Sequence, residues 1–217
     1  PMAVNLAKEH DVIGFDTVAK PEGIQMASTA AQAAKDADVV ITMLPNGDIL
    51  RAVAAQIHPA MKSGAVHLDC STVDVESARA VAEQATAHGL TAIDAPVSGG
   101  IGGATNGTLT FMAGGTVDAF ATVKPLFDIM GQKAVHCGAA GNGQAAKICN
   151  NMLLGISMIG VSEAFVLAEK LGLDAQKLFD ISSTASGQCW SLTSYCPVPG
   201  PLPTSPANRD YQPGFAA

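Results

Sequence analysis

In the stretch GNGQAAKICNNML (141–153) a single charged side chain, Lys147, stands in a run otherwise suited to a buried helix, with Asn150 and Asn151 just beyond it. On a helix, residues four apart share a face about one turn apart, so Lys147 and Asn151 would point the same way. A lysine free in water has a pKa of about 10.4 and is charged at neutral pH. Sunk among apolar neighbours such as Ile148 and Met152 it would be held lower, where an amine can take and return a proton. The competing reading is a lysine whose stem covers apolar surface while its head reaches water.

Other residues could take part in binding. Asp16 ends an apolar run at the point where the second strand of a dinucleotide-binding sheet carries an acid that accepts the ribose 2′-hydroxyl of NAD and repels the 2′-phosphate of NADP. It could equally cap its own loop. Ser98, Gly99 and Gly100 follow a strand candidate, and a serine hydroxyl beside successive unencumbered N–H groups can cradle an anion; a plain glycine turn would look the same. Leu44, Pro45 and Thr72 fall just past two strand candidates, where ligands of doubly wound sheets bind. Asn46 either joins them or caps the next helix. Trp190, the only tryptophan, either walls a pocket or fills a core. The five cysteines are widely spaced with no CxxC pair, and the five histidines are scattered, so free thiols and no metal site are expected.

These residues need a scaffold, and the pattern supplies one. Up to about residue 139, short β-branched runs alternate with alanine-rich helical stretches, which predicts an α/β domain with a doubly wound parallel sheet, Rossmann-like in form. Strands are expected at 11–16, 38–44, 65–70, 90–95, 108–115 and 133–137. Helices are expected near 1–9, 28–36, 47–61, 74–88 and 117–130, with Ser28 and Asp74 as N-caps. From about 144 to 172 apolar residues recur at helical spacing, a second helix follows near 174–183, and PVPGPLPTSP (197–206) reads as an extended loop. The expected domains are 1–139 and an all-helical 140–217. The first element, PMAVNLAKEH, reads as the helix after the first strand of such a sheet, so that strand and its GxGxxG turn are expected upstream of Pro1.

The balance of the chain narrows its class. With 217 residues, 48% of them hydrophobic and 14% charged, it can bury a full core. A formal charge of −7 with no basic stripe argues against nucleic acid as partner. The most apolar run, MLLGISMIGVS (152–162), holds eleven residues before Glu163, against the ~20 a membrane span needs, so it is expected to be a buried helix of a soluble protein.

Six segments together resemble the β-hydroxyacid dehydrogenases, most of all their hydroxyisobutyrate branch: MLPN (43–46), DCST (69–72), DAPVSGG (94–100), GATNGTLTFMAGG (103–115), GNGQAAKICNN (141–151) and SGQCWSLTSYCPVPG (186–200). The resemblance runs over essentially the whole chain. It implies NAD as cofactor and oxidation of 3-hydroxyisobutyrate to methylmalonate semialdehyde, a step of valine degradation. It further implies Lys147 as general acid/base, Asn151 orienting the substrate, the Ser98–Gly99–Gly100 loop on the substrate carboxylate, Leu44 and Pro45 lining the cofactor and Thr72 close to the nicotinamide. Trp190 lies in the segment that most distinguishes this branch, and would wall the pocket around the substrate methyl group. Against that family the chain lacks both ends, so the fragment alone is expected to be inactive and the complete protein a homo-oligomer, in bacterial cytoplasm or a mitochondrial matrix. The alternatives are another member of the family, such as a tartronate semialdehyde reductase, and a non-catalytic truncated binding module.

Overall fold

The computed structural model describes residues 1–211. Contacts divide the chain into two compact units, Pro1–Lys147 and Ile148–Ala217. The last six residues of the second expected domain, 212–217, lie outside the described residues.

In the first unit, helix α1 (Met2–Leu6) leads into a small parallel pair, β1 (Ile13–Gly14) and β2 (Gln25–Met26), and helix α2 (Ala30–Ala34). Then follow β3 (Val39–Thr42), α3 (Gly47–Ile57), β4 (Val66–Asp69), α4 (Val75–Ala87), β5 (Thr91–Asp94), β6 (Val97–Ser98), α5 (Gly100–Asn106), β7 (Leu109–Gly114), α6 (Val117–Met130) and β8 (Gly131–Gly138). All six expected strands are present, the first cut to two residues. Asp74 caps α4 as expected, accepting the Ser77 amide at 2.7 Å. The expected cap Ser28 is displaced by one residue: Thr29 accepts the Gln32 amide, while Gln32 Oε1 reaches back past the cap to accept the Ser28 amide.

Two features depart from the expectation. The main sheet runs β3-β4-β5-β7, with β6 and β8 both pairing β7, and β7 is antiparallel to β5 and β6, so the sheet is mixed rather than purely parallel. The reversal comes at α5, a seven-residue helix between β6 and β7 that was not among the expected helices. Sheet faces alternate as the pleat requires. Val66 and Leu68 of β4 pack with Leu109, Phe111, Val123 and Phe127 on one side, while His67 and Asp69 turn to the other, beside Leu50, Ala78 and Val81 of α3 and α4. The Phe111 and Phe127 rings, both buried, sit 4.6 Å apart, each contributing on the order of 2 kcal/mol by burial.

Helix α7 runs from Asn142 to Lys170. Glu163 does not end it. Its most apolar 18-residue window has a mean hydropathy of 1.6, so by length and composition alone it is long and apolar enough to cross a membrane. The expectation of a buried helix also fails: only 11% of that window is buried. In the second unit α8 (Ala175–Ser182), α9 (Trp190–Thr193) and a short 3-10 turn at Pro206–Arg209 follow. Phe165, Leu192 and Cys196 form its core, with Leu178, Phe179 and Val198 packed on them. The expected proline-rich loop is irregular up to that turn, whose Pro206 sits at its first residue.

Candidate active site

One row of residues crosses the carboxyl ends of the strands in register: Thr42 beside Asp69, Asp69 beside Asp94, and Asp94 beside Gly114. Asp69 Oδ1 accepts the Thr42 hydroxyl at 2.7 Å, the Ser71 hydroxyl at 2.6 Å and the Ser71 amide at 3.2 Å. Since the one Thr42 proton goes to Asp69, His67 Nε2 must be the donor across the 2.9 Å contact to Thr42 Oγ1. Neutral His67 then accepts at Nδ1 from His58 Nε2, also at 2.9 Å, leaving His58 Nδ1 buried with no partner among the described residues. Burial, with His58 alongside, pushes the His67 pKa down to about 3; burial, with His88 nearby, pushes His58 down to about 4. Both rings are therefore neutral at physiological pH, consistent with this chain of donors. Burial raises the Asp69 pKa against the pull of the Ser71 and Thr42 hydroxyls.

Asp94 binds the start of α7. Its Oδ1 accepts the Gly141 amide at 2.7 Å and its Oδ2 the Gln144 amide at 3.0 Å. Burial outweighs these bonds and pushes its pKa up to about 6. The letters GNGQAA also fit the G-x-G-x-x-A pattern of a dinucleotide turn, and they follow a strand and open a helix. Here that helix end is capped by the protein's own carboxylate. A Cβ on Gly143 would come within 2.3 Å of the Met112 carbonyl oxygen and 2.4 Å of that of Asp94, so the glycine serves close backbone packing.

Lys147 stands half-buried in the second turn of α7, and its Nζ donates to the Val97 carbonyl oxygen at 2.7 Å. Burial lowers its pKa. The head is tied to β6 at Val97, the residue before Ser98, and is only partly open to water. Ile148 and Met152, expected to bury it, are 51% and 60% exposed, so the strand side supplies the burial instead.

The hydrogen bond of Lys147 reaches Val97, the residue before the Ser98–Gly99–Gly100 segment. Ser98 closes β6, and Gly99 and Gly100 take φ values of 135° and 62°, a conformation that favours glycine. Leu44 lies just past β3, and its amide donates to Ser71 Oγ at 2.8 Å; Pro45 and Asn46 are exposed beside it. Asn46 Oδ1 caps α3 through the Ile49 amide at 2.9 Å. Thr72 is exposed between buried Ser71 and Val73. Asp16 follows β1, exposed, its Oδ1 accepting the Val18 and Ala19 amides at 2.7 Å each; these bonds hold its pKa down. Asn151, four residues beyond Lys147 on the same unbroken helix, is exposed, its Oδ1 accepting from Asn150 at 3.3 Å. Trp190 is 52% exposed and stacks on Tyr195 at 5.4 Å, so it is not a core tryptophan.

Sequence reasoning gave no role to Asp94, His67 or, above all, Gln144, a fully buried amide three residues before Lys147. The only signal was a polar side chain set between Gly143 and Ala145. Among the described residues no group of three or more His, Cys, Asp or Glu is placed to hold a metal ion.

The loops of Leu44–Pro45 and Thr72 follow adjacent parallel strands, and Asp16 follows β1 of the separate two-stranded pair, so the residues present fit a nicotinamide dinucleotide. A mixed sheet with these open loops, followed by a long helix whose lysine is half-buried, defines an NAD(P)-binding oxidoreductase. Residues 1–138 match the family described as NAD binding domain of 6-phosphogluconate dehydrogenase, and residues 141–217 that described as NAD-binding of NADP-dependent 3-hydroxyisobutyrate dehydrogenase. The chain belongs to the 3-hydroxyisobutyrate dehydrogenase family. It is 48% identical to a probable 3-hydroxyisobutyrate dehydrogenase of Mycobacterium tuberculosis over all of its length and 76% of that protein's. It is 44% identical to the mitochondrial 3-hydroxyisobutyrate dehydrogenase of Mus musculus, over 99% of the chain and 67% of the relative. The crystallised Mycobacterium tuberculosis 3-hydroxyisobutyrate dehydrogenase with L-serine superposes at a TM-score of 0.94 with 47% identity, over 99% of this chain and 76% of the other. An imine reductase of Myxococcus stipitatus, 15% identical with a TM-score of 0.75, shares the fold.

Proposed function

We propose that this protein catalyses the NAD-dependent oxidation of 3-hydroxyisobutyrate to methylmalonate semialdehyde, with Lys147 as general acid/base. The observation that carries this reading is the head of Lys147, half-buried with a lowered pKa and held at the Val97 carbonyl oxygen, one residue before Ser98. As the carbinol carbon gives up its hydride, the hydroxyl proton must leave, and a neutral amine within hydrogen-bond reach can take it. NAD, when bound, supplies the hydride acceptor. Ser98, Gly99 and Gly100 bind the substrate carboxylate, Asn151 hydrogen-bonds the substrate from one turn further along the helix, and Trp190 contacts its methyl group. Leu44, Pro45, Asn46 and Thr72 flank the cofactor, and Asp16 meets the adenosine ribose, favouring NAD over NADP. Residues 1–139 form the dinucleotide-binding domain and 140–217 the helical one.

The test is NADH formation from 3-hydroxyisobutyrate, compared with NADPH formation from NADP. Because the chain spans 76% of its mycobacterial relative, the assay is run on this chain and on the chain extended to that relative's length. Turnover on hydroxyisobutyrate that Lys147→Ala abolishes supports the reading. Turnover on tartronate semialdehyde in its place, or an unaffected Lys147→Ala variant, would overturn it.

A further inference from the structure

Gln144 has no exposed surface, and both polar atoms of its amide are engaged. Its Nε2 donates to the Ser71 carbonyl oxygen at 2.8 Å, and its Oε1 accepts the Val73 amide at 3.1 Å. These two bonds bracket Thr72, the exposed residue between them. The Gln144 amide is itself held by Asp94, and Ser71 Oγ accepts the Leu44 amide. The buried side chain thus joins the loop after β4 to the first turn of the helix that carries Lys147, while Ser71 ties that loop to Leu44 and Asp94, at the end of β5, holds the helix start. Filling the same volume needs no amide: a methionine would do it without the cost of burying polar atoms.

We propose that Gln144 is a positioning residue, a two-point brace that holds Thr72 and the cofactor-facing loop in register with Lys147. The proposal rests on the dehydrogenase reading given above. Cofactor and proton-transfer group must meet within a few tenths of an ångström, and a misplacement of about 1 Å can cost on the order of a hundredfold in rate. The loop and the helix are 73 residues apart in sequence, so nothing local fixes their spacing.

A glutamate in place of Gln144 makes a switchable brace. Protonated, the substituted carboxyl offers the O–H donor and carbonyl acceptor that both bonds need; ionised, it can no longer donate to the Ser71 carbonyl and repels it. Three forms of the chain extended to its mycobacterial relative's length, wild type, Gln144→Glu and Gln144→Met, are compared by NAD dissociation constant from about pH 5 to 9 and by hydrogen-exchange protection of the Val73 amide. We expect Gln144→Met to weaken NAD about tenfold at every pH and to lower Val73 protection by a similar factor. Gln144→Glu should match wild type at low pH and lose affinity about tenfold as pH rises, relative to wild type at the same pH. A general packing role would not follow that titration. Gln144→Glu tracking wild type at all pH, or Val73 protection unchanged in Gln144→Met, overturns the brace. If wild type binds no NAD, the dehydrogenase reading falls, and Val73 protection alone decides the brace. Should Gln144→Met fail to fold, the Gln144→Glu titration decides between brace and packing.

Discussion

The ammonium of Lys147 and the carbonyl of Val97 are 2.7 Å apart, which fixes the head of a helix lysine to the end of a strand 50 residues earlier in the chain. A lysine held there, partly out of water, is easier to deprotonate than a free one. Lys147→Ala should lower turnover by ~10²–10⁴-fold with little change in NAD affinity. The rising limb of the pH–rate profile should lie below the ordinary lysine value of about 10.4. Lys147→Arg should abolish that limb, because a guanidinium stays charged. A Lys147→Ala enzyme with near-normal turnover would remove the residue from the mechanism.

Asp16 holds its own loop through two amides on one oxygen. Asp16→Ser keeps a loop acceptor while removing the charge that would repel a 2′-phosphate. The ratio of NADP to NAD use, from paired kcat/KM values, should rise by about tenfold or more. An unchanged ratio would leave Asp16 with the loop role alone.

Glycines along α7 separate packing from propensity. Gly143→Ala would drive a Cβ into the backbone of Asp94 and Met112, and should cost about 1–3 kcal/mol, read as a lower midpoint in urea. Gly155→Ala and Gly160→Ala meet nothing within 4 Å and should be neutral or stabilising by up to ~1 kcal/mol.

His67 makes stability depend on pH. Its folded pKa of about 3 lies below the unfolded 6.5, so between these values the unfolded chain binds a proton that the folded one does not. The stability it contributes is full above pH 6.5 and is lost as pH falls toward 3. Asp94, raised from 3.8 to about 6, works the other way over its own window: its contribution is full below 3.8 and is lost as pH rises through 6. His67→Gln retains a donor and an acceptor without titrating. Its stability should therefore fall less steeply on acidification than that of wild type, by up to ~1.4 kcal/mol per pH unit between 6.5 and 4. Parallel urea curves for the two proteins across that window would refute the neutral buried ring.

Trp190, exposed and stacked on Tyr195, has little core to lose. Trp190→Ala should shift stability by no more than about 1 kcal/mol. Discrimination between 3-hydroxyisobutyrate and unmethylated 3-hydroxypropionate should fall by about tenfold or more, the scale of one methyl contact. An unchanged ratio would separate Trp190 from the substrate.

Much of this protein was open to reading from the chain alone. Strand runs, the long helix at 142–170 and the Asp74 cap were legible because periodicity and capping depend on residues within a turn or two. Lys147 stood out because a lone charge in an apolar run is a local anomaly. Tertiary structure alone decided the rest. The antiparallel β7, the Val97 partner of Lys147, the neutral His58–His67 pair and the Gln144 brace all depend on atoms brought together from distant parts of the chain. Gln144 is the plainest case. By itself it is one amide in an alanine-rich run; its meaning comes from two backbone groups more than 70 residues away, which only the packed sheet and helix place within its reach.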